Sequence, residues 1–335
     1  MAGSQSYKVV ITDVFADALA PEREALGELA AVEALNARCE GELAGRVEQA
    51  DALIVCHLVT ISRHTIARLE RCRVIVRAGV GFDNIDVEAA RERAIPVVNV
   101  PDYCVEEVAD SAIGLMLALT RGLSGLNSRL RAGDPQWHHA PAAPLYRLRG
   151  RTFGIVGLGR IGTATALRAR ALGMDVVFYD PYKPAGSEKA LGIRRVSALD
   201  ALLGQSFVLS LHCPLTPETR GMIHAAAIAC LPRGAFLINT ARGGVVETAA
   251  IPPAIASGQL AGAGIDVLER EPPPVDDPLV RAWRDPSHPA HHRVILTPHS
   301  AFYSEESLLE LRRKAASACR DALLGAPLRN VVNGV

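Results

Sequence analysis

Three glycines and one aspartate mark the first place where this sequence spells out chemistry. Gly157-Leu158-Gly159-Arg160-Ile161-Gly162 follows a β-rich run at 152–156 and opens an alanine-rich helical stretch at 163–172. A second β-rich run, 175–179, leads into Asp180, 18 residues after Gly162. This is the layout a dinucleotide requires. Gly157 permits a tight turn, Gly159 lets the backbone approach a pyrophosphate, and Gly162 lets helix and strand pack closely. The helix start offers unpaired N–H groups and a positive dipole end, and Arg160 on its first turn either touches the same anion or stands in solvent. Asp180 would accept hydrogen bonds from the adenosine ribose hydroxyls and repel a 2′-phosphate. NAD is therefore expected over NADP.

Other reactive side chains read differently. Arg77-Ala78-Gly79-Val80-Gly81 ends a β-rich run, and its glycines could turn backbone amides toward a carboxylate, with Arg77 adding charge. A plain glycine turn closing a βα unit, with Arg77 paired to an acid, is the alternative. His288, His291 and His292 have a spacing a metal could use. Their surroundings suggest neither strand nor helix to fix them, so surface histidines and no metal are expected. His212 lies at a strand end and is expected to position backbone. Cys104 and Cys213 lack a neighbouring base that would make a thiolate.

The elements that must carry these residues follow one rhythm, a short β-rich run and then an alanine-rich helix. The first block has runs at 8–11, 52–56, 74–77 and 96–100, with helical patterns at 22–31, 65–69 and 87–93. The second has runs at 152–156, 175–179, 207–212, 235–239, 262–266 and 294–297. Strands alternating with helices need crossover connections, which predicts parallel sheets covered on both faces. A long helix over 105–130 separates the blocks. Residues 132–146 and 272–292, rich in proline, read as surface loops. A last helix, 305–324, is expected to return and cover the first sheet. The predicted fold is α/β, with two Rossmann-like or flavodoxin-like lobes and an active-site cleft between them. The boundaries expected are 1–101 with 300–335 for a discontinuous substrate domain, and 102–299 for an NAD-binding domain.

Composition narrows the function classes. A length of 335 residues suits two domains, and 49% hydrophobic with 21% charged residues is globular. Lys plus Arg and Asp plus Glu both number 36, so no global electrostatic footprint calls for nucleic acid or anionic lipid. No apolar run reaches a membrane-spanning length. The polar stretch 1–7 leads straight into a strand, so no signal peptide is expected. Seven cysteines are an odd, scattered set without a CxxC pair, which points to a reducing cytoplasm.

Four segments carry a more specific likeness. They are His212-Cys213-Pro214-Leu215-Thr216-Pro217-Glu218-Thr219, Asn239-Thr240-Ala241-Arg242-Gly243-Gly244, residues 264–273 (GIDVLEREPP), and Thr297-Pro298-His299-Ser300-Ala301. Together they resemble the D-isomer-specific 2-hydroxyacid dehydrogenases, from about Val74 to Val332. Residues 81–86, 178–182 and 302–306 are similar to the branch that includes the C-terminal-binding-protein corepressors, although Phe302 stands where that branch would carry tryptophan. The resemblance implies hydride transfer between NAD(H) and a small 2-hydroxy or 2-oxo acid. Arg242 would grip the substrate's carboxylate or carbonyl oxygen, and His299 would exchange a proton with that oxygen. Glu271 would orient the His299 ring and favour the imidazolium. It also implies cofactor contacts by Ile161, Cys213, Pro214, Thr219, Thr240, Ala241 and Asp266, and substrate contacts by Arg77, Gly79, Val80, Gly81 and Phe302. A homodimer is expected, because the apolar positions of the 105–130 helix cover more than one face. The separation of 28 residues between Glu271 and His299 is long for the family, and the excess falls in 272–292.

Two readings from different classes remain at this stage. One is a soluble NAD-dependent enzyme acting on a small acid. The other is an NAD(H)-sensing scaffold like the corepressors. The short stretches flanking the two blocks and the even charge favour the enzyme.

Overall fold

The computed structural model describes residues 6–15 and 17–335, so residues 1–5 of the polar N-terminal stretch lie outside the described residues. The chain divides into two compact units, Met1–Cys104 with Ser304–Val335, and Val105–Tyr303. Both are α/β units built on a parallel sheet.

In the first unit, β1 (Tyr7–Ile11), β2 (Ala30–Ala34), β3 (Ala52–Val55), β4 (Val74–Arg77) and β5 (Val97–Asn99) pair in the order β2-β1-β3-β4-β5. Every pairing is parallel, and α1 (Ala20–Leu26), α2 (Arg63–Arg68) and α3 (Val87–Glu92) make crossovers. All residues of β3 and β4 are buried, as a sheet covered on both faces requires. The C-terminal helix Glu305–Leu323 packs on β3, β4 and α1. Its buried side chains Leu311, Ala315, Cys319 and Leu323 fall at helical spacing along one stripe. Arg312 ties it to the α1 region, pairing with Glu22 and Asp17, each at 2.6 Å.

In the second unit, β6 (Thr152–Val156), β7 (Asp175–Tyr179), β8 (Arg194–Arg195), β9 (Val208–Leu211), β10 (Ala235–Asn239), β11 (Leu260–Ile265) and β12 (Val294–Leu296) pair in the order β12-β11-β10-β9-β6-β7-β8. All pairings are again parallel. The order reverses between β6 and β9, which is the switch point where doubly wound sheets hold their ligands.

Four expectations need correction. Residues 22–31 are not one helix: α1 ends at Leu26, Gly27 turns the chain at φ +55°, and Ala30 and Val32 alternate buried with exposed neighbours as the edge strand β2. The 105–130 helix is two, α4 (Val105–Thr120) and α5 (Leu123–Arg131), broken where Gly122 adopts φ +66°. The argument from this helix to a dimer also fails. Ile113, Leu115, Met116 and Leu119 of α4 join a core with Phe153, Ile155, Phe236 and Ile238 inside the second unit. Finally, 272–292 is not all loop. Asp277 caps a helix, Pro278–Arg284, accepting the Val280 N–H, and Leu279 and Val280 are buried. Proline at the first helical position after an aspartate cap is a start signal. The long spacing between Glu271 and His299 is thus filled by an ordered element.

Candidate functional site

The fingerprint turn runs close against its neighbours. Gly157 follows β6 at φ +89°, and a Cβ there would lie 2.8 Å from the backbone of His212 and Cys213. At Gly162 a Cβ would meet the Gly157 carbonyl oxygen at 2.1 Å, so only glycine lets α6 (Arg160–Ala171) pack on the turn. Gly159 is different. It caps α6 with no side-chain hydrogen bond, and nothing lies within 4 Å of the place a Cβ would take. The start of a helix longer than three turns therefore faces an open space beside a glycine, which suits an anion held by backbone N–H groups. Arg160 on the first turn is exposed and Ile161 is half-buried.

Asp180 follows β7 and holds the turn from the side. Its Oδ2 accepts the Leu158 N–H at 2.8 Å and its Oδ1 accepts the Tyr182 N–H at 2.9 Å. After β9, the Thr219 hydroxyl donates to the Pro214 carbonyl at 2.7 Å and accepts the Thr216 N–H at 2.8 Å, closing the 214–219 turn. Burial pushes the Cys213 thiol up to about 11, which keeps it out of thiolate chemistry. Burial also lowers His212 to about 4, and its Nε2 lies 2.9 Å from the Ser210 hydroxyl. A neutral ring of that kind is no second acid. After β10, Thr240 has a buried hydroxyl with no hydrogen-bond partner among the described residues, and Ala241 is half-buried beside it. A buried orphan hydroxyl and an open glycine cap are what a bound dinucleotide would complete. The residues present fit NAD.

Arg242, Glu271 and His299 are joined through backbone. Asn239, fully buried, pins the Arg242 loop: its Nδ2 donates to the Arg242 carbonyl at 2.9 Å and its Oδ1 accepts the Ala241 N–H at 3.0 Å. Arg242 Nη1 donates to the Ala241 carbonyl at 2.8 Å. A Cβ on Gly243 would sit 1.9 Å from the Leu268 carbonyl carbon, so this loop lies directly on the 268–269 backbone. The Leu268 N–H in turn donates to Glu271 Oε1 at 2.8 Å. Glu271 Oε2 is 2.6 Å from His299 Nδ1, with 23% of the histidine and 30% of the glutamate side chain exposed. Both residues are half sheltered from water, where a charge-assisted hydrogen bond is stronger than at the surface.

Asp266 sits under this pair. It is 2% exposed, and its carboxylate accepts the Thr297 hydroxyl at 2.5 Å and the N–H groups of Ser300 and Ala301 at 3.0 Å each. What the structure shows of Asp266 is a brace for the loop that carries His299. His299 itself has φ +52°, a left-handed conformation rare for a side-chain-bearing residue and typical of functional turns. The Phe302 ring stands edge-on to the imidazole, centroids 6.3 Å apart. The sequence reading missed Asn239. Its signal was an asparagine at a strand end, able to bond the backbone two residues on.

The 77–81 segment belongs to the first unit. Arg77 is buried at the end of β4; its Nε donates to Asn84 Oδ1 at 3.2 Å and its Nη1 to the Ala78 carbonyl. The guanidinium crosses Gly79, where a Cβ would fall 2.1 Å from Nη1. The Gly79 carbonyl accepts from Val100 N–H at 3.1 Å and the Val80 carbonyl from Asn99 Nδ2 at 2.6 Å. Val80 and Gly81 are half-buried. Of the three clustered histidines, His288 caps a short turn by accepting the Ala290 N–H at 3.0 Å, and His291 Nδ1 lies 2.8 Å from the Trp283 carbonyl. Among the described residues no three metal-binding side chains converge, and no helix is long and apolar enough to cross a membrane.

Comparison with known proteins places this geometry among relatives. Residues 113–301 match the model of the D-isomer specific 2-hydroxyacid dehydrogenase NAD binding domain. The D-3-phosphoglycerate dehydrogenase of Methanocaldococcus jannaschii is 36% identical over 326 residues, which is 97% of this chain and 59% of that protein. That of Mycobacterium bovis is 36% identical over 321 residues, 96% of this chain and 58% of that one. The chain thus spans about three-fifths of the length of these curated relatives. The D-lactate dehydrogenase of Aquifex aeolicus, solved with NAD and lactic acid, superposes with a TM-score of 0.84 at 29% identity, covering 95% of this chain and 96% of that one. A glyoxylate reductase from Paecilomyes thermophila gives 0.84 at 30% identity, covering 98% of both chains.

Proposed function

The chain belongs to the D-isomer-specific 2-hydroxyacid dehydrogenase family, and from that premise we propose that it interconverts a small D-2-hydroxy acid and its 2-oxo acid with NAD(H). The cofactor is NAD, bound by the second unit. The relatives are dehydrogenases and reductases, so the scaffold reading is not favoured.

When bound, NADH would give a hydride to C2 of the 2-oxo acid and NAD would take one from C2 of the 2-hydroxy acid. Gly157, Gly159, Arg160, Ile161 and Gly162 would hold the pyrophosphate; Asp180 would hold the adenosine ribose. Cys213, Pro214, Thr219, Thr240, Ala241 and Asp266 would line the remainder. Arg242 would bind the substrate's carboxylate or carbonyl oxygen; its planar fork matches a carboxylate with two parallel N–H donors. Arg77, Gly79, Val80, Gly81 and Phe302 are the further residues we assign to the substrate. With Nδ1 committed to Glu271, Nε2 of His299 is the nitrogen that gives a proton to the carbonyl oxygen in reduction and takes it in oxidation. Glu271 is a positioning residue: it orients the ring and fixes the tautomer.

The observation that carries this reading is the 2.6 Å His299–Glu271 contact beside the Arg242 loop. Steady-state NADH oxidation with a panel of 2-oxo acids tests it; no turnover with any of them, in protein shown to bind NADH, would sink it. We further infer a homodimer, now through the outer face of α5 and the loop after it, where Leu123, Leu130 and Trp137 are exposed. A monomeric mass by light scattering at micromolar concentration would refute that part. The described cysteines are all free thiols, which fits a cytoplasmic location.

A further inference from the structure

All strands of the second sheet are parallel, so their amino ends share one edge and their carboxyl ends the other. Gly157, Arg242 and His299 follow the carboxyl ends. On the amino edge lies a cavity of about 520 Å³. Phe207, Gly234, Leu260 and Arg293, at the starts of β9, β10, β11 and β12, form one side of it. Gly122, Gly125, Leu126 and Arg129, on one face of α5, and residues 141–146 form another.

Among the described residues, Arg129, Arg233, Arg293, His288 and His292 line this cavity, and no carboxylate does. Arg129 is paired with Asp134 at 3.5 Å, and Arg233 Nη2 donates to the Ser257 carbonyl at 2.7 Å. Among the described residues no ion pair engages Arg233 or Arg293. His292 Nδ1 is buried without a hydrogen-bond partner among the described residues, and burial, Arg129 and His291 together lower the His292 imidazole. The guanidinium groups of Arg233 and Arg293, without an ion pair among the described residues, next to an orphan buried nitrogen form a recognition surface for an anion. Leu126, Tyr146, Phe207 and Phe236 supply apolar walls, and the volume is that of a small-molecule site rather than of a bare ion.

We propose that this cavity is a second binding site, on the sheet edge opposite the cofactor, for a small organic anion with a carboxylate or phosphate group and an apolar body. Calorimetric titration of the full chain, in saturating NAD, with 1-naphthyl phosphate, 1-naphthoate and inorganic phosphate tests it. Expected is one naphthyl ligand per chain, bound at least about tenfold more weakly by Arg233→Gln/Arg293→Gln and by Ser124→Glu, which puts a carboxylate on the exposed lip. Arg242→Gln should bind as wild type does, which separates this site from the proposed active site. Ser124→Glu decides the matter if the double variant melts early. Three results would overturn the proposal: no binding at millimolar concentration, unchanged affinity in the lining variants, or loss only in Arg242→Gln. Equal affinity for inorganic phosphate would overturn the organic character of the ligand.

Discussion

Asp266 holds His299 by its backbone and holds the rest of His299's loop by its side chain. The His299 N–H donates to the Asp266 carbonyl at 2.8 Å, while the Asp266 carboxylate accepts from Thr297, Ser300 and Ala301. Asp266→Asn replaces one acceptor oxygen by an N–H₂ group that must face a donor. An unsatisfied buried pair of this kind costs about 1–3 kcal/mol, so the melting temperature should fall. Because the loop carries the proposed acid, kcat should fall as well. Wild-type melting and wild-type kcat in Asp266→Asn would show that the brace is dispensable.

Two of the three fingerprint glycines, Gly162 and Gly159, should fail in different ways. Gly162→Ala drives a methyl group into the Gly157 carbonyl, a backbone atom that cannot swing aside. Overpacking of this sort costs about 1–3 kcal/mol, so the protein should lose stability. Gly159→Ala meets nothing within 4 Å among the described residues and should melt as wild type does. It should nevertheless bind NADH at least about tenfold more weakly, because its methyl group occupies the space assigned to the pyrophosphate. Normal NADH affinity in Gly159→Ala would contradict that assignment.

Wild-type protein should prefer NAD to NADP, since a 2′-phosphate would approach the Asp180 carboxylate. Asp180→Ala should narrow the preference and also weaken NAD, because the Leu158 and Tyr182 N–H groups lose their acceptor. Direct titration of both cofactors checks this; equal wild-type affinities would contradict it.

Glu271→Gln should lower kcat for 2-oxo acid reduction and leave NADH binding unchanged. The carboxylate oxygen 2.6 Å from His299 Nδ1 fixes the ring's orientation and tautomer, whereas a glutamine can turn an N–H₂ group toward the same nitrogen. Wild-type kcat in Glu271→Gln would show that the pair does not position the ring.

Much of this molecule is legible in its sequence, because the informative residues are those with no substitute. Gly157, Gly162 and Asp180 declare a dinucleotide turn since each is fixed by backbone geometry or charge, and the structure places a strand, a turn and a helix around them. The elements misread are those whose signal depends on neighbours. Ala30–Ala34 is alanine-rich and reads as helix until Gly27 turns it aside, and two-residue β8 exists only as an edge partner of β7. The apolar surface of α4 looked too broad for one chain because its contacts with the sheet, through Leu115 and Met116, cannot be seen from periodicity. Helix Pro278–Arg284 was hidden in a run of prolines, although Asp277-Pro278 carries a start signal. Asn239 and the bracing oxygens of Asp266 act through the backbone of distant loops, and no spacing rule reveals such contacts.

The most direct test of the central claim is the rate of NADH oxidation by wild type and His299→Ala on the best 2-oxo acid of a panel, with NADH affinity measured alongside. Expected are turnover by wild type, a product of D configuration, and a kcat about 10²–10⁴-fold lower in His299→Ala with NADH binding unchanged. Wild-type kcat in His299→Ala would contradict it, since the proton would then come from another group.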